Sequence, residues 1–221
     1  MKKNYHRLLL ILFSIFIIAG CSKNPKKIKF LALGDSYTIG ESIEIKDRWP
    51  NQLSIRLEDK FNYSVNTKII AITGYTTREL LDEIDKKNLT NDYDYVSLLI
   101  GVNNQYQGLD IEKFEEELNI LLDKSINFAK GRSDKVFVLS IPDWGITPFA
   151  KNKNTTKISE EIDKYNSIIE RSCVNKGVKY YYITDISRKV DEIDGLLAID
   201  RLHPSAIMYS MWVDEVIDFF K

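Results

Sequence analysis

The sequence is poor in the residues that build scaffolds without a hydrophobic core. Its 221 residues include two cysteines, ten glycines and five prolines, which excludes a disulfide framework, a four-cysteine zinc site and a collagen-like or low-complexity chain. A net charge of −1 excludes the basic surface that is typical of nucleic-acid binding. Hydrophobic residues make up 44% and charged residues 29% of the chain, as expected for an ordinary globular domain with a buried core.

The amino-terminal 20 residues are typical of a secretory signal peptide. Lys2, Lys3 and Arg7 precede an apolar run over 8–19, which is shorter than the ~20 residues of a membrane-spanning helix. Small residues then lead to Cys21. This arrangement resembles the processing site of bacterial lipoproteins, in which the cysteine is lipidated and becomes the mature amino terminus. A plain signal peptide and a short uncleaved anchor are the alternatives.

Processing at Cys21 would change what the rest of the chain can do. Residues 21–27 would form a polar tether to a membrane of the bacterial cell envelope, with 28–221 as the folded domain facing the periplasm or the exterior. His6 would be removed, which leaves His203 as the single histidine. A multi-histidine metal site is then excluded, and any imidazole chemistry depends on His203. We therefore expect neither a metal nor a cofactor.

Five apolar runs alternate with helical patterns along the mature chain. The runs lack polar alternation, which is typical of parallel strands covered on both faces. They cover residues 29–33, 68–72, 95–100, 135–141 and 179–183. The helical patterns cover residues 51–60, 76–85, 111–130, 158–176 and 206–220. Repeated strand–helix units predict an α/β fold, a three-layer α/β/α sandwich around a doubly wound, five-stranded parallel sheet of the flavodoxin-like kind.

Ligands of such a sheet bind beyond the carboxyl ends of its strands. Ser36 follows the first predicted strand, and Asp200 and His203 precede the last helix. A serine nucleophile needs a base that takes its proton, and the base needs an acid that orients it. Asp200 and His203 are three residues apart and can meet across one turn, which would leave one ring nitrogen for Ser36. The alternatives are structural: Ser36 as a cap or turn residue, and His203 as a polar residue ahead of a helix capped by Ser205.

Four segments together resemble the SGNH, or GDSL-type, hydrolases, a superfamily of esterases and lipases. The segments stand in the family's order, as Gly34-Asp35-Ser36, Thr73-Gly74-Tyr75, Gly101-Val102-Asn103-Asn104 and Asp200 to His203. The resemblance implies that Ser36 is the nucleophile, that His203 is the general base and then the acid, and that Asp200 orients the imidazole. It also implies an oxyanion hole made by the backbone N–H groups of Ser36 and Gly74 and the side-chain amide of Asn103.

One residue departs from the family pattern. The third segment usually reads Gly-x-Asn-Asp, whereas Asn104 stands here in place of the aspartate. The Asn104 carbonyl can still accept a hydrogen bond, so we expect retained activity. We further expect Asp35 to be structural and Cys173 to be a buried thiol. Loop aromatics could wall an acyl pocket, with ordinary packing as the alternative, and the candidates are Tyr75, Tyr106 and Trp144.

The predicted function is a serine esterase that cleaves carboxylic esters of small molecules, lipids or carbohydrates through an acyl-serine intermediate. Its activity should fall below about pH 6, since histidines ordinarily titrate near pH ~6.5. A lysophospholipase, a thioesterase and a polysaccharide O-deacetylase are alternatives with the same machinery, and a non-catalytic binding lipoprotein is an alternative of another class. An α/β-hydrolase needs Gly-x-Ser-x-Gly, but Thr38 occupies the position of the second glycine.

Overall fold

The computed structural model describes residues 24–221. Five parallel strands form one sheet in the order β2-β1-β3-β4-β5. The strands are β1 (Lys26–Gly34), β2 (Tyr63–Ala71), β3 (Tyr95–Leu99), β4 (Val136–Leu139) and β5 (Lys179–Tyr181). The predicted five-stranded parallel sheet is thereby confirmed. The predicted signal peptide and Cys21 lie outside the described residues.

Helices cover both faces of the sheet, as predicted. On one face α2 packs against α8, and on the other α3 and α6 pack against α5. The helices are α1 (Ser36–Ile39), α2 (Trp49–Phe61), α3 (Thr77–Lys86), α4 (Val102–Tyr106), α5 (Ile111–Phe128), α6 (Thr155–Lys176), α7 (Thr184–Ser187) and α8 (Ala206–Val216). Within the described range, no helix combines the length and the apolar character that crossing a membrane requires.

The strand boundaries differ from the prediction at the edges of the sheet. β2 begins at Tyr63, whereas the sequence predicted a start at residue 68. The prediction missed the first part of this edge strand because it alternates between half-buried and exposed residues and so lacks the continuous apolar run of a central strand. β1 includes Lys26 and Lys27, which were expected to belong to the tether. These two residues are exposed, so their polarity hides their place in the sheet.

Local sequence signals predict the helix ends more accurately than the strand ends. Thr76 and Glu79 form a capping box at the start of α3, and Ser205 caps α8 by accepting from two backbone N–H groups. Gly177 ends α6 with a positive φ of 65°, a conformation that glycine adopts at little cost. Each signal depends on neighbours within one helical turn, which is why sequence alone is sufficient to find it.

The strand order creates a crevice at one point of the sheet, where a ligand can bind. From β1 the chain first goes to β2 on one side and then to β3 on the other. The loops that follow β1 and β3 therefore diverge and leave a crevice at the carboxyl edge, the topological switch point of a doubly wound sheet. The segments that carry Ser36 and Asn103 are these two loops.

Candidate active site

Ser36 begins α1 immediately after β1, in a turn that is packed tightly against β3. Gly34 lies beside Leu99 in the sheet, and a Cβ atom at position 34 would lie 2.5 Å from the Leu99 carbonyl oxygen and 2.2 Å from Thr38 Oγ1. Only glycine fits this approach. Asp35 caps α1, because its Oδ1 accepts from the backbone N–H of Tyr37 at 3.0 Å. The cap and the glycine together hold Ser36 at the strand exit.

Asp35 has the structural role that was expected of it. Its side chain is fully buried, and within the described part of the chain its Oδ2 atom has no hydrogen-bond partner. Burial raises the pKa of this carboxyl to about 7, although the hydrogen bond from the Tyr37 N–H acts to lower it. A carboxyl group that is easily protonated therefore lies directly beneath the turn that carries Ser36.

Asp200 holds the ring of His203 from behind. Asp200 Oδ2 lies 2.7 Å from His203 Nδ1, and Oδ1 accepts from the backbone N–H groups of Leu202 and His203 at 3.0 Å. Burial acts to raise the pKa of this carboxyl, but hydrogen bonds from Ser42, from the imidazole and from the two backbone groups outweigh it and hold the pKa at about 2. The carboxylate thus stays ionised and directs Nε2 away from itself.

The Gly74 turn and Asn103 come together on the other side of the crevice. Gly74 is exposed and has a φ of +90°, while an added Cβ would meet nothing within 4 Å, so backbone conformation rather than space requires the glycine. Asn103 Nδ2 donates to the carbonyl of Tyr75 at 2.9 Å. This hydrogen bond fixes the orientation of the Asn103 side chain at the crevice.

Asn104 links this loop to the start of α3. Its Oδ1 accepts from the Thr77 backbone N–H at 3.0 Å, and its Nδ2 donates to Thr77 Oγ1 at 2.8 Å. The Thr77 hydroxyl in turn donates to the buried carboxylate of Glu117 at 2.6 Å, which also pairs with Arg78 at 2.8 Å. The carbonyl of Asn104 accepts a hydrogen bond as expected, and its N–H₂ group adds a donor that an aspartate would lack.

The four predicted segments meet at one cavity of about 200 Å³. Of the predicted site residues, those that line it are Ser36, Gly74, Asn103, Tyr106, Trp144 and His203. Asp200 lies behind His203 and does not line it. Tyr75 does not line it either, contrary to the prediction, because its ring is half-buried against the core. Five further residues line the cavity without having been predicted to do so, and they are Tyr37, Thr73, Val102, Phe149 and Leu202.

Cys173 plays no part in this site. The residue is fully buried in the core, and burial raises the pKa of its thiol to about 12. A thiol in this environment stays protonated and is a poor nucleophile. The prediction of a buried thiol is confirmed.

Fold and site together define a class. An α/β/α sandwich whose switch point opens into a cavity, with hydroxyl, imidazole and amide groups on the cavity wall, has its binding site where doubly wound enzymes bind their ligands. The chain belongs to the GDSL-like lipase/acylhydrolase family, whose model matches residues 32–211. This membership makes it a hydrolase of ester bonds. No curated protein matches the chain by sequence.

Several solved structures share the fold. Axe2, an acetylxylan esterase from Geobacillus stearothermophilus, is 16% identical with a TM-score of 0.69, and the match covers 89% of this chain and 95% of Axe2. The esterase EstA from Pseudoalteromonas sp. is 18% identical with a TM-score of 0.64, covering 87% and 96%. A lipase/acylhydrolase from Enterococcus faecalis is 18% identical with a TM-score of 0.68, covering 86% and 94%.

Proposed function

We propose that the chain is a serine esterase in which Ser36, His203 and Asp200 act as a catalytic triad. The observation that carries the proposal is that Ser36 and His203 line one cavity while Asp200 holds Nδ1 of the imidazole at 2.7 Å. In this mechanism Nε2 takes the proton of Ser36 Oγ as the oxygen attacks the ester carbonyl. The imidazolium then gives that proton to the leaving alcohol, and water releases the acyl group from the serine in the second half of the cycle.

The tetrahedral intermediate of each half needs donors for its oxyanion. We assign these to the backbone N–H groups of Ser36 and Gly74 and to the amide of Asn103. The support is that all three residues line the cavity and that the Tyr75 carbonyl orients the Asn103 amide. Each fixed donor of this kind is worth roughly 10²–10³ in rate. Asn103→Ala should therefore lower kcat by about that factor while KM changes little.

A covalent probe tests the nucleophile directly. A fluorophosphonate added to residues 22–221 should label Ser36, as read by peptide mass spectrometry, and Ser36→Ala should abolish both labelling and p-nitrophenyl butyrate hydrolysis. Ser64→Ala is the matched control, because Ser64 is an exposed serine on β2, away from the cavity. Unchanged hydrolysis by Ser36→Ala would exclude this nucleophile. A folded wild-type protein that neither hydrolyses esters nor takes the label would favour the non-catalytic alternative.

We further propose that Cys21 is lipidated and anchors the enzyme to a membrane of the cell envelope. The support is the basic start, the short apolar run and the small residues ahead of the cysteine. Cys21→Ser should move the protein from the membrane fraction to the soluble fraction and abolish incorporation of labelled palmitate. A Cys21→Ser variant that stays membrane-bound would refute lipidation as the anchor.

Such an anchor would favour substrates away from the anchoring bilayer. β1 begins at Lys26, only a short way along the chain from Cys21, and its nine residues lead to the turn of Ser36. At about 3.3 Å per residue, the strand separates the two ends by roughly 30 Å. With β1 directed away from the bilayer, this distance would favour soluble esters or envelope polysaccharides over lipids of the same membrane. An acetylated oligosaccharide should then be a better substrate than a lysophospholipid embedded in the vesicle that carries the enzyme.

A further inference from the structure

One segment of the chain separates the cavity at Ser36 from a second, larger space. Trp144 and Phe149 line the cavity of about 200 Å³. The residues between them, Gly145 to Pro148, line an open groove of about 670 Å³ that continues past Lys151 to the start of α6. Residues 144–150 are therefore a thin partition, which we call the partition turn. It is built from two short 3₁₀ turns.

Trp144 is the rigid part of this partition. Its indole N–H donates to Gln105 Oε1 at 2.8 Å, and Gln105 Nε2 donates to Glu161 at 2.8 Å. Both Trp144 and Gln105 are buried. Asp143 caps the turn by accepting from the Gly145 N–H at 2.9 Å. A side chain fixed by a buried hydrogen bond of this kind offers a ligand a wall that does not move.

Phe149 is the part of the partition that packing alone holds. Its ring centroid lies 6.0 Å from that of Trp144 and 6.5 Å from that of Tyr106, and the Tyr106 and Trp144 centroids lie 5.3 Å apart. Phe149 is 46% exposed and, as a phenylalanine, makes no side-chain hydrogen bond. The three rings form the apolar end of the cavity, and Phe149 is a half-exposed member of this wall that no hydrogen bond holds in place.

The mechanism assigns the acyl group to this apolar end. His203 must protonate the leaving alcohol, so the alcohol lies toward His203 and Leu202, and the acyl chain extends toward the three rings. The cavity size sets the length of that chain. A cavity of about 150 Å³ holds one benzene molecule, so a cavity of about 200 Å³ holds about eight non-hydrogen atoms by the same ratio. That is enough for the carbonyl and a short chain.

We propose that the partition turn, through Phe149, restricts the enzyme to short acyl esters of about two to six carbon atoms. This inference rests on the proposed function and specifies its substrate class. A longer acyl chain would have to displace the Phe149 ring or bend back into water. An apolar pocket discriminates by about tenfold or more against a methylene that it cannot hold. Shortening residue 149 would remove this part of the cavity wall and relieve that restriction.

The test is the ratio of kcat/KM for p-nitrophenyl octanoate to that for the butyrate. In the wild type this ratio should be below about 0.1, and Phe149→Ala should raise it at least tenfold. Phe149→Trp, which enlarges the wall, should lower it further. Tyr182→Ala is the matched control, because Tyr182 is 45% exposed and follows β5 at the same edge without lining the cavity. Its ratio should equal that of the wild type.

The outcomes separate the two proposals. A wild type that cleaves octanoate as well as butyrate, or a folded Phe149→Ala variant with the wild-type ratio, would overturn the role of the partition turn while leaving the esterase intact. Circular dichroism of each variant shows whether it is folded, and Phe149→Trp provides the reading if Phe149→Ala is not. A protein inert to every chain length and to the phosphonate probe would instead overturn the proposed function, and the acyl-length limit with it.

Discussion

Asn104→Asp, which restores the residue usual in the family, should destabilise this protein. The Thr77 hydroxyl has one proton, and it donates that proton to Glu117 at 2.6 Å. Its oxygen therefore accepts from the Asn104 N–H₂ group at 2.8 Å. An ionised aspartate would replace this donor by an acceptor, so that two oxygens would face each other with no proton between them. Asn104 and Thr77 are buried, so water cannot relieve the contact.

The cost can be estimated from these contacts. Leaving a buried charged group without its hydrogen bond costs about 3 kcal/mol, and for a chain of this size each 1 kcal/mol lowers Tm by about 2–4 °C. Asn104→Asp should thus lower Tm by about 6–12 °C at pH 7.5. The variant should also lose activity, since Asn104 adjoins Asn103 and ties the loop that carries it to α3.

The pH dependence of the loss identifies its cause. Burial and the nearby Glu117 should raise the pKa of the introduced carboxyl in the folded state above its ordinary value of about 3.9. A group with a raised folded-state pKa is least costly at low pH, and its cost grows as the pH rises through that pKa. The Tm difference from the wild type should therefore be largest near pH 8 and shrink toward pH 4.5, where the protonated carboxyl again donates to Thr77.

Thermal unfolding followed by circular dichroism between pH 4.5 and pH 8 measures this difference. Asn104→Ala is the control, because it removes both hydrogen bonds without adding a titratable group and should show a Tm deficit that does not vary with pH. The hydrogen-bond assignment would be refuted by an Asn104→Asp variant as stable as the wild type at pH 7.5, or by one whose deficit is equal at both ends of the range.

Three further predictions follow from the site. Asp200→Asn should lower kcat by about 10³- to 10⁴-fold with little change in KM. Because the pKa of Asp200 lies at about 2 rather than 3.8, its carboxylate stabilises the folded wild type above pH 4, and this stability is lost toward pH 2. Asp200→Asn should remove that contribution, which acid unfolding would show. Burial raises the pKa of Asp35 from 3.8 to about 7, so the stability of the wild type should fall as the pH rises through this interval. Asp35→Asn should make the stability less dependent on pH in thermal unfolding. An equally steep pH dependence in the variant would contradict the raised pKa of Asp35. Tyr209→Phe removes the hydroxyl that donates to the Tyr37 carbonyl at 2.9 Å and should lower kcat several-fold. Tyr63→Phe loses a hydroxyl–carbonyl hydrogen bond at the start of β2 and should lower the stability without changing kcat. Equal kcat values for the two variants would argue against a role for Tyr209.

The central strands and the helix ends could be predicted from the sequence because their signals are local. β3, β4 and the second half of β1 are buried on both faces and therefore read as continuous apolar runs. The parallel arrangement then brings the carboxyl ends of β1, β2 and β3 to one edge. For that reason the sequence alone predicts that Ser36 and Asn103 lie near each other.

What only the tertiary structure decided depends on contacts between distant parts of the chain. The start of β2 is defined by its pairing with β1, and no apolar run in the sequence indicates it. Phe149 closes the cavity because the partition turn folds back against Tyr106, whereas Tyr75, an equally plausible loop aromatic, turns toward the core. The consequence of Asn104 depends on Thr77 and Glu117, which lie 27 and 13 residues away in the chain. Short-range patterns describe one strand, one turn or one cap, but the wall of a cavity and the donor count of a buried network are set by residues that meet only after folding.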